Sequence, residues 1–567
     1  MKLSTVLLLF GLIAISPIKS QKVIGVHLLD YTSDEALIRL SSDLDGLKKM
    51  GINTLFLEVD YHFDFQSHPE LVQTNDPITK KGAEKFAKIC ADKGMKIIPQ
   101  FQCLGHQSWE QNTWKLLEVY PELDLTPGAF PNNDSIYCRE WDVMNIRVNQ
   151  IIFPMIEEIL TAFNADGLHL GLDEVFLLGN AKSPSTVGKD PAFLFGKTIR
   201  EFHQYFTVRK HKQLYMWGDR LIDGPKYGYG KWESSFNGTA PAIDSIPKDI
   251  IICDWHYNEQ QRYPSVDLFL EKGFRVLPSS WKEVDAAKAL IRYSFAQQDE
   301  NMLGHLFTLW GAVTKDQLLS YPSMNAGLEI IKGEKYHEVY VEQVGVSTKG
   351  KLNVKMTTAN PSIEIHYTLN GIRPTIHSTA YQGVFEYESG QVIKALPFKE
   401  GEEVGLMTEK EFLVHKGLGK KVTFVTPPSD KYGQGDPSQL LVNGEGFTLG
   451  YSDGQWLGYE GNDLELIIDL GQADSISTVS MNFHNKVNDW VHHPKTVEIY
   501  GSLDGNQFFL IDKKKLRKIG RPILSVRLGK PSYARFVKVV ATNQVIPEGF
   551  NGAGEKAWIF LDEVVVQ

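Results

Sequence analysis

A chain of 567 residues is too long for one hydrophobic core, so roughly two to four domains are expected. Its composition is that of a globular protein, 42% hydrophobic and 23% charged, with a formal net charge of -10. No basic stripe rises above short runs such as Lys513-Lys514-Lys515, which argues against nucleic acid as a partner.

Met1-Lys2 precedes the apolar run Val6 to Ile15, followed by Ser16, Pro17 and the small residue Ser20. That order reads as a signal peptide over 1–20, so a secreted or periplasmic location is expected. The run is short for a bilayer span, and no later segment is apolar enough to be transmembrane. From Lys22 to about Gly333, β-rich runs alternate with helical ones. The strands are expected at Val23–Leu29, Asn53–Val59, Lys96–Phe101, Gly167–Leu172, Gln213–Trp217, Ile250–Trp255, Phe274–Pro278 and Leu303–Leu309. Between and after them, helices are expected at Asp34–Met50, capped by Ser33, then Thr79–Lys93, Asn145–Phe163, Pro191–His211, Pro264–Lys272, Val284–Ala296 and Lys315–Ile331. This alternation matches a multidomain chain that begins with a (β/α)8 TIM barrel over 22–335. An open doubly wound sheet would usually carry a glycine-rich phosphate turn after its first strand, and none is there.

Residues 336–416 alternate apolar and polar with turn signals such as Asn370-Gly371, and read as a small β domain. From 421 to 567 the alternation continues through Leu464–Leu470, Thr496–Ser502 and Arg535–Ala541, as in a β-sandwich. The four cysteines, Cys90, Cys103, Cys138 and Cys253, are too few to frame a fold by disulfides. Cys103 and Cys138 flank one loop and could pair, but four buried free thiols is the favoured reading. No Cys/His spacing resembles a zinc site.

In a barrel, function sits where strands end. Reading those ends in order gives Asp60 with His62, Gln102 with His106, and Asp173 with Glu174. Trp217 with Asp219, Asp254 through Tyr257, Ser279 through Trp281 and finally Trp310 follow. Loops chosen for solubility would be rich in Lys, Ser and Gly; carboxylates, histidines and tryptophans point to an enzyme acting on sugars. The stretch from Ala165 to Glu174 is central. Alternation puts His169, Gly171 and Asp173 on one face, and Glu174 reaches the same pocket only if the strand ends there. Two adjacent carboxylates repel, so one tends to keep a proton, as a glycosidase acid requires. An isolated Asp-Glu more often caps a helix; a pair facing other polar strand ends does not fit that reading.

The motif His169-Leu-Gly-Leu-Asp-Glu174 resembles the His-x-Gly-Gly-Asp-Glu signature of glycoside hydrolase family 20, the β-N-acetylhexosaminidases. Ile98 through His106 resembles the family's third-strand segment ending in Gly-His, Met216-Trp-Gly-Asp219 its fifth strand end, and Leu309-Trp310 its eighth. Residues 337–415 resemble the β domain often attached to these enzymes, and the last domain resembles a discoidin-like (coagulation factor type C) module.

The resemblance implies retaining, substrate-assisted hydrolysis of an oligosaccharide or glycoconjugate with a terminal N-acetylhexosamine. Asp173 would orient the sugar's 2-acetamido group, and Glu174 would act as general acid and then base. His106 and His169 would support the carboxylates or sugar hydroxyls, while Trp217, Trp255, Trp281 and Trp310 would wall the pocket. No cofactor or metal is needed for this chemistry, although the discoidin-like module leaves room for a structural calcium. Three departures from the family are visible. The first strand has no arginine, Ala312 stands where a carboxylate is usual, and Ser280-Trp281-Lys282 replaces a Tyr-x-Asp. Tyr257 is a candidate for the missing hydroxyl, and Glu58, Asp60 or Asp254 for recognition of the outer sugar. Two rival readings stand beside this one: a conventional two-carboxylate glycosidase using Asp219 or Asp254, and an inactive glycan-binding protein. Asn133 and Asn237 lie in glycosylation sequons.

Overall fold

The computed structural model describes residues 22–311, 315–333, 336–347, 351–432, 436–446, 450–451, 454–516 and 522–567. The expected signal peptide, and Ala312 at the usual carboxylate position, lie outside them.

The first unit is a parallel sheet flanked by helices. Its strands are β1 Val23–Leu28, β2 Thr54–Glu58, β3 Lys96–Cys103, β4 Gly167–Gly171, β5 Gln213–Trp217, β6 Ile251–Cys253, β7 Arg275–Val276, β8 Ser279–Ser280 and β9 Gly304–Leu309. They lie side by side in the order β8-β9-β1-β2-β3-β4-β5-β6-β7. The expected seventh strand is therefore two short pieces, β7 and β8, separated by Leu277 and Pro278. Pro278 has no amide hydrogen to give the ladder. Its carbonyl still accepts from Leu306, while the Leu277 amide donates to Ile252 on the other side.

Two apolar clusters bound this sheet. Between strands and helices lies the larger one, including Val26, Leu55, Leu57, Leu168 and Ile252. The opposite face carries a smaller one of Phe56, Ile98, Tyr215, Trp217, Ile251 and Leu306. Strands buried on both faces read as continuous apolar runs, as Thr54–Glu58 does.

Several helices end earlier than hydrophobic period alone suggests. The expected helix over 34–50 is two, Asp34–Ser41 and Leu44–Met50. Ser33 caps the first by accepting from the Ala36 amide, as expected. Ser42 donates its hydroxyl to the Arg39 carbonyl and ends it. Leu40, Leu44 and Leu47 keep facing the core across the break, so the apolar rhythm does not register it. Similarly, the helix from Pro191 ends at Phe202 and passes into a wider turn, His203–Arg209. The last helical stretch splits into Lys315–Leu319 and Pro322–Gly333, where Pro322 starts the second piece.

Beyond this unit the chain is β-structured. One antiparallel sheet joins Tyr340–Val346, Leu352–Thr357 and Phe385–Tyr387, and a second is built around Glu364–Thr368 and Ile393–Lys399. They enclose Val341, Val354, Met356, Ile365 and Ile393. The last unit stacks a five-stranded sheet, including Leu464–Ile476, Thr496–Ser502 and Ser532–Thr542, on a four-stranded one, including Val479–His484 and Trp558–Val566. Alternate residues of both, such as Leu466, Ile468, Val537, Met481 and Val564, fill the space between. This unit packs on the first: a methyl group at Gly230 would stand 2.5 Å from the Lys431 carbonyl oxygen. A cleft of ≈ 1230 Å³ remains where the loop Tyr257–Arg262 meets the two β units.

All four cysteines are buried and free. Neither sequon asparagine is idle. Asn133 is buried and donates to the Glu110 carbonyl, and Asn237 donates to that of Val175.

Candidate active site

Residues at the carboxyl ends of the parallel strands gather into one largely buried cluster. The Asp-Glu pair comes first because the backbone there is unusual. β4 ends at Gly171, and Gly171, Leu172 and Glu174 all have positive φ, at 66°, 69° and 50°. For Leu172 and Glu174 that conformation costs about 1–2 kcal/mol each. The gain is geometric: two successive side chains, which a regular strand would send to opposite faces, reach one cation. His106 Nε2 stands 3.4 Å from Asp173 Oδ2 and 3.2 Å from Glu174 Oε2. Both are ion-pair contacts, too poorly aligned to satisfy that nitrogen as hydrogen bonds.

Electrostatics follow from this clasp. Burial alone would lower the His106 imidazole's affinity for its proton. The neighbouring Asp173, Cys138 and Glu174 outweigh burial and hold His106 well above the ordinary histidine range. Conversely, burial would raise the Asp173 carboxyl, but His106 and a hydrogen bond from Gln102 bring it below its ordinary value. Gln102 Nε2 donates to Asp173 Oδ1 at 2.6 Å. Its carboxamide occupies the space that Gly171 leaves: a methyl there would lie 2.0 Å from Gln102 Oε1.

Behind the pair, Glu174 is held through its backbone amide, which donates to Asp219 Oδ2 at 2.9 Å. Asp219 also accepts from Arg220 Nε at 2.6 Å and from Trp255 Nε1 at 3.3 Å. It is buried, which pushes its carboxyl up to about 6 despite Arg220. The fully buried Glu140 accepts from the amides of Phe176 and Leu177, at 2.6 Å each, and braces the chain just after the pair.

On the floor, Trp217 is 1% exposed and meets His169 at 4.5 Å, His27 at 5.4 Å and Trp310 at 5.9 Å between ring centroids. Burial lowers the His27 imidazole to about 4 and takes His169 well below its usual range, so both are neutral. Tyr257 accepts from Trp310 Nε1 at 2.7 Å, and its ring touches Trp255 and Trp281. Asp60 accepts from the Gln102 amide at 2.6 Å and is pushed up to about 7 by burial. Glu58, half-buried, accepts from Gln100, and burial raises its carboxyl well above the usual range. Asp254 is fully buried and engaged by Ser265 and His256.

The structure thus brings Asp173, Glu174, His106, Trp217, Trp255, Tyr257, Trp281 and Trp310 into one cluster at the strand ends. His169, Asp60 and Asp219 lie directly against it, and Asp254 lies behind it. Tyr137 is a residue that sequence reasoning missed: its ring lies edge-on to His106 at 5.7 Å between centroids, and burial, with the nearby Glu174 charge, raises its hydroxyl above the ordinary tyrosine range. It sits mid-loop with no periodic signal around it. As for metals, His106, Asp173 and Glu174 place their ligand atoms within 4.8 Å of one another, the one such group among the described residues.

Comparison with known proteins adds the following. Residues 345–409 match the family described as chitobiase/beta-hexosaminidase C-terminal domain, and residues 423–555 match the F5/8 type C domain. A beta-hexosaminidase of Emericella nidulans is 21% identical over 270 residues, covering 43% of this chain and 40% of that protein. The chain therefore spans under half the length of that relative. Among solved structures, a chitobiase from Flavobacterium johnsoniae aligns over 55% of this chain and 48% of its own, at 18% identity and a TM-score of 0.40. Dispersin B aligns over 55% and 99%, at 17% identity and a TM-score of 0.37. The chain is thus similar to β-hexosaminidase glycoside hydrolases, and its later residues match a chitobiase/β-hexosaminidase C-terminal domain followed by an F5/8 type C domain.

Proposed function

We propose that this chain is a secreted, exo-acting β-N-acetylhexosaminidase that works with retention and substrate assistance on a closed (β/α)8 barrel. Closure of the barrel is supported by the run 275–280, which bonds to Ile252 on one flank and Leu306 on the other. It is supported too by the two separate apolar clusters, one on each face of the sheet. Export rests on the pattern of residues 1–20.

The observation that carries the chemistry is the single cation, His106, held between Asp173 and Glu174. Asp173, kept ionised, faces the partial positive charge that grows on the acetamido group as its carbonyl oxygen bonds to the anomeric carbon. Glu174 gives its proton to the bridging oxygen as that C–O bond breaks. It then takes a proton from water, which attacks the anomeric carbon and reopens the ring formed by the acetamido group. Two inversions give net retention. Tyr257 and the ring surfaces of Trp217, Trp255, Trp281 and Trp310 enclose the acetamido-bearing sugar.

A conventional mechanism needs a second carboxylate free to attack the sugar. Asp219 is taken up by Arg220 and the Glu174 amide, and Asp254 by Ser265 and His256. This favours the substrate's own nucleophile. The test is hydrolysis of paired aryl β-glycosides, with and without a 2-acetamido group, by wild type and Glu174→Gln. Cleavage confined to the acetamido sugars, and lowered about 10²–10⁴-fold in the variant, is expected. Equal cleavage of plain hexosides would overturn substrate assistance, and no cleavage of either set would favour a glycan-binding protein.

A further inference from the structure

The extended chain does not stop at the end of β6. The Asp254 amide donates to the Leu277 carbonyl at 3.3 Å and the His256 amide to that of Ser279 at 3.1 Å. Side chains over 254–257 therefore alternate between two sides. Trp255 and Tyr257 face the carboxylate cluster, where Trp255 Nε1 donates to Asp219 Oδ1 and the Tyr257 hydroxyl accepts from Trp310 Nε1. Asp254 and His256 face away and are fully buried. The mechanism uses the first two and leaves a buried charge between them without a task.

His256 is held at both ring nitrogens. Nδ1 stands 2.6 Å from Glu233 Oε2, and Nε2 stands 2.7 Å from Ser265 Oγ and 3.2 Å from Asp254 Oδ1. Burial alone would lower the imidazole, but Asp254 and Glu233 outweigh burial and push it up to about 10. His256 is therefore a cation that donates from both nitrogens. Tyr229 stacks on its ring at 4.5 Å and 17°. The other oxygen of Glu233, Oε1, accepts from Asn258 Nδ2 at 3.0 Å. One carboxylate thus grips the chain immediately before and immediately after Tyr257. Glu233 is itself anchored next door: the buried Arg220 donates Nη2 to the carbonyls of Lys231 and Trp232 at 3.0 Å each. Arg220 Nε donates to Asp219, which accepts from the Glu174 amide. Tyr257 is in this way tied to the backbone of Glu174 through charged groups that never reach the cluster's interior.

Packed apolar side chains often replace a buried ion network with no loss of stability, so stability alone does not account for one set between two substrate-facing rings. We propose that Glu233 and His256 are positioning residues, which act through Tyr257 by holding its hydroxyl where the acetamido group of the bound sugar meets it. Because that hydroxyl accepts from Trp310, its own hydrogen is left to donate. The inference rests on the hexosaminidase reading and adds to it two residues that do not touch the sugar.

The test is a double-variant cycle on wild type, Glu233→Gln, Tyr257→Phe and the pair. Glu233→Gln is preferred to a change at His256, which would strand the buried Asp254. A carboxamide accepts on one side only, so glutamine must release either His256 or Asn258. On an acetamido aryl β-glycoside, Glu233→Gln is expected to lower kcat about 10–100-fold, as a misplaced group near the reacting atoms does. Added to Tyr257→Phe, it is expected to lower kcat by less than about twofold. Losses that multiply in the pair, or a change in KM with kcat kept, overturn the proposal. A wild type inert on acetamido and plain glycosides alike would instead refute the hexosaminidase reading. In that case the indole N–H resonance of Trp310, assigned with Trp310→Phe, decides. A shift in Glu233→Gln toward its position in Tyr257→Phe supports the bracket, and an unmoved resonance overturns it.

Discussion

Replacing His106 by glutamine removes the one cation between Asp173 and Glu174 and keeps a polar side chain of similar size. At 3.4 Å, two unit charges interact by about 5 kcal/mol for an effective dielectric constant of about 20. The glutamine amide, facing the same carboxylates, offsets much of this, and the hydrogen bond from Gln102 remains. A rise of about 1–2 units in the Asp173 pKa is therefore expected, or about 1.4–2.7 kcal/mol. In the wild type Asp173 lies below its ordinary value of 3.8. Its favourable contribution is thus present above that value and lost as pH falls through the folded one. Without His106 the loss comes at higher pH. Measured as kcat/KM against pH on an acetamido aryl glycoside, the acid limb should move up by about 1–2 units. His106 itself runs the other way: it is raised above its ordinary 6.5. Its stabilisation is complete below that pH and lost as pH rises through the folded value, so the stability gap between wild type and variant should narrow in alkali. An acid limb that does not move would refute the assignment of an ionised Asp173 held by a charged His106.

Gly171→Ala puts a methyl 2.0 Å from Gln102 Oε1 at a φ of 66°. Urea unfolding should show a loss of about 1–3 kcal/mol, with kcat/KM falling because Gln102 leaves Asp173; normal values for both would mean that the carboxamide does not need that space. Arg220→Met strands the buried Asp219 charge and should cost about 3–5 kcal/mol, recovered in part by adding Asp219→Asn; no recovery in the double variant would contradict the pairing. Chelation by EDTA should leave kcat/KM unchanged, because His106 already neutralises the carboxylates; activity lost to EDTA and restored by zinc would make the His106, Asp173 and Glu174 group a metal site.

Much of this architecture is legible in the chain itself. Alternating apolar runs place β1 through β6 and β9 to within a residue or two, because strands buried on both faces must be apolar along their length. The Asp173-Glu174 pair stands out for the same local reason: charges seldom end such a run without a use. Element breaks are harder to read. Leu40, Leu44 and Leu47 keep their rhythm across the interruption at Ser42, and Leu277 and Pro278 interrupt a run that reads as one strand.

What the chain alone determines here is what depends on near neighbours: the helix cap at Ser33, the succession of strands and helices, and which side chains stand at strand ends. Tertiary structure alone decides which of those ends point at one another. It turns Asp254 toward Ser265 and His256, lays Gln102 over Gly171, and brings Tyr137 and Trp232, nearly a hundred positions apart in the numbering, to one side of Glu174. The physical reason is the positive φ values at Leu172, Glu174 and His106. These backbone angles are unfavourable locally and persist only because buried hydrogen bonds and ion pairs from distant segments hold them.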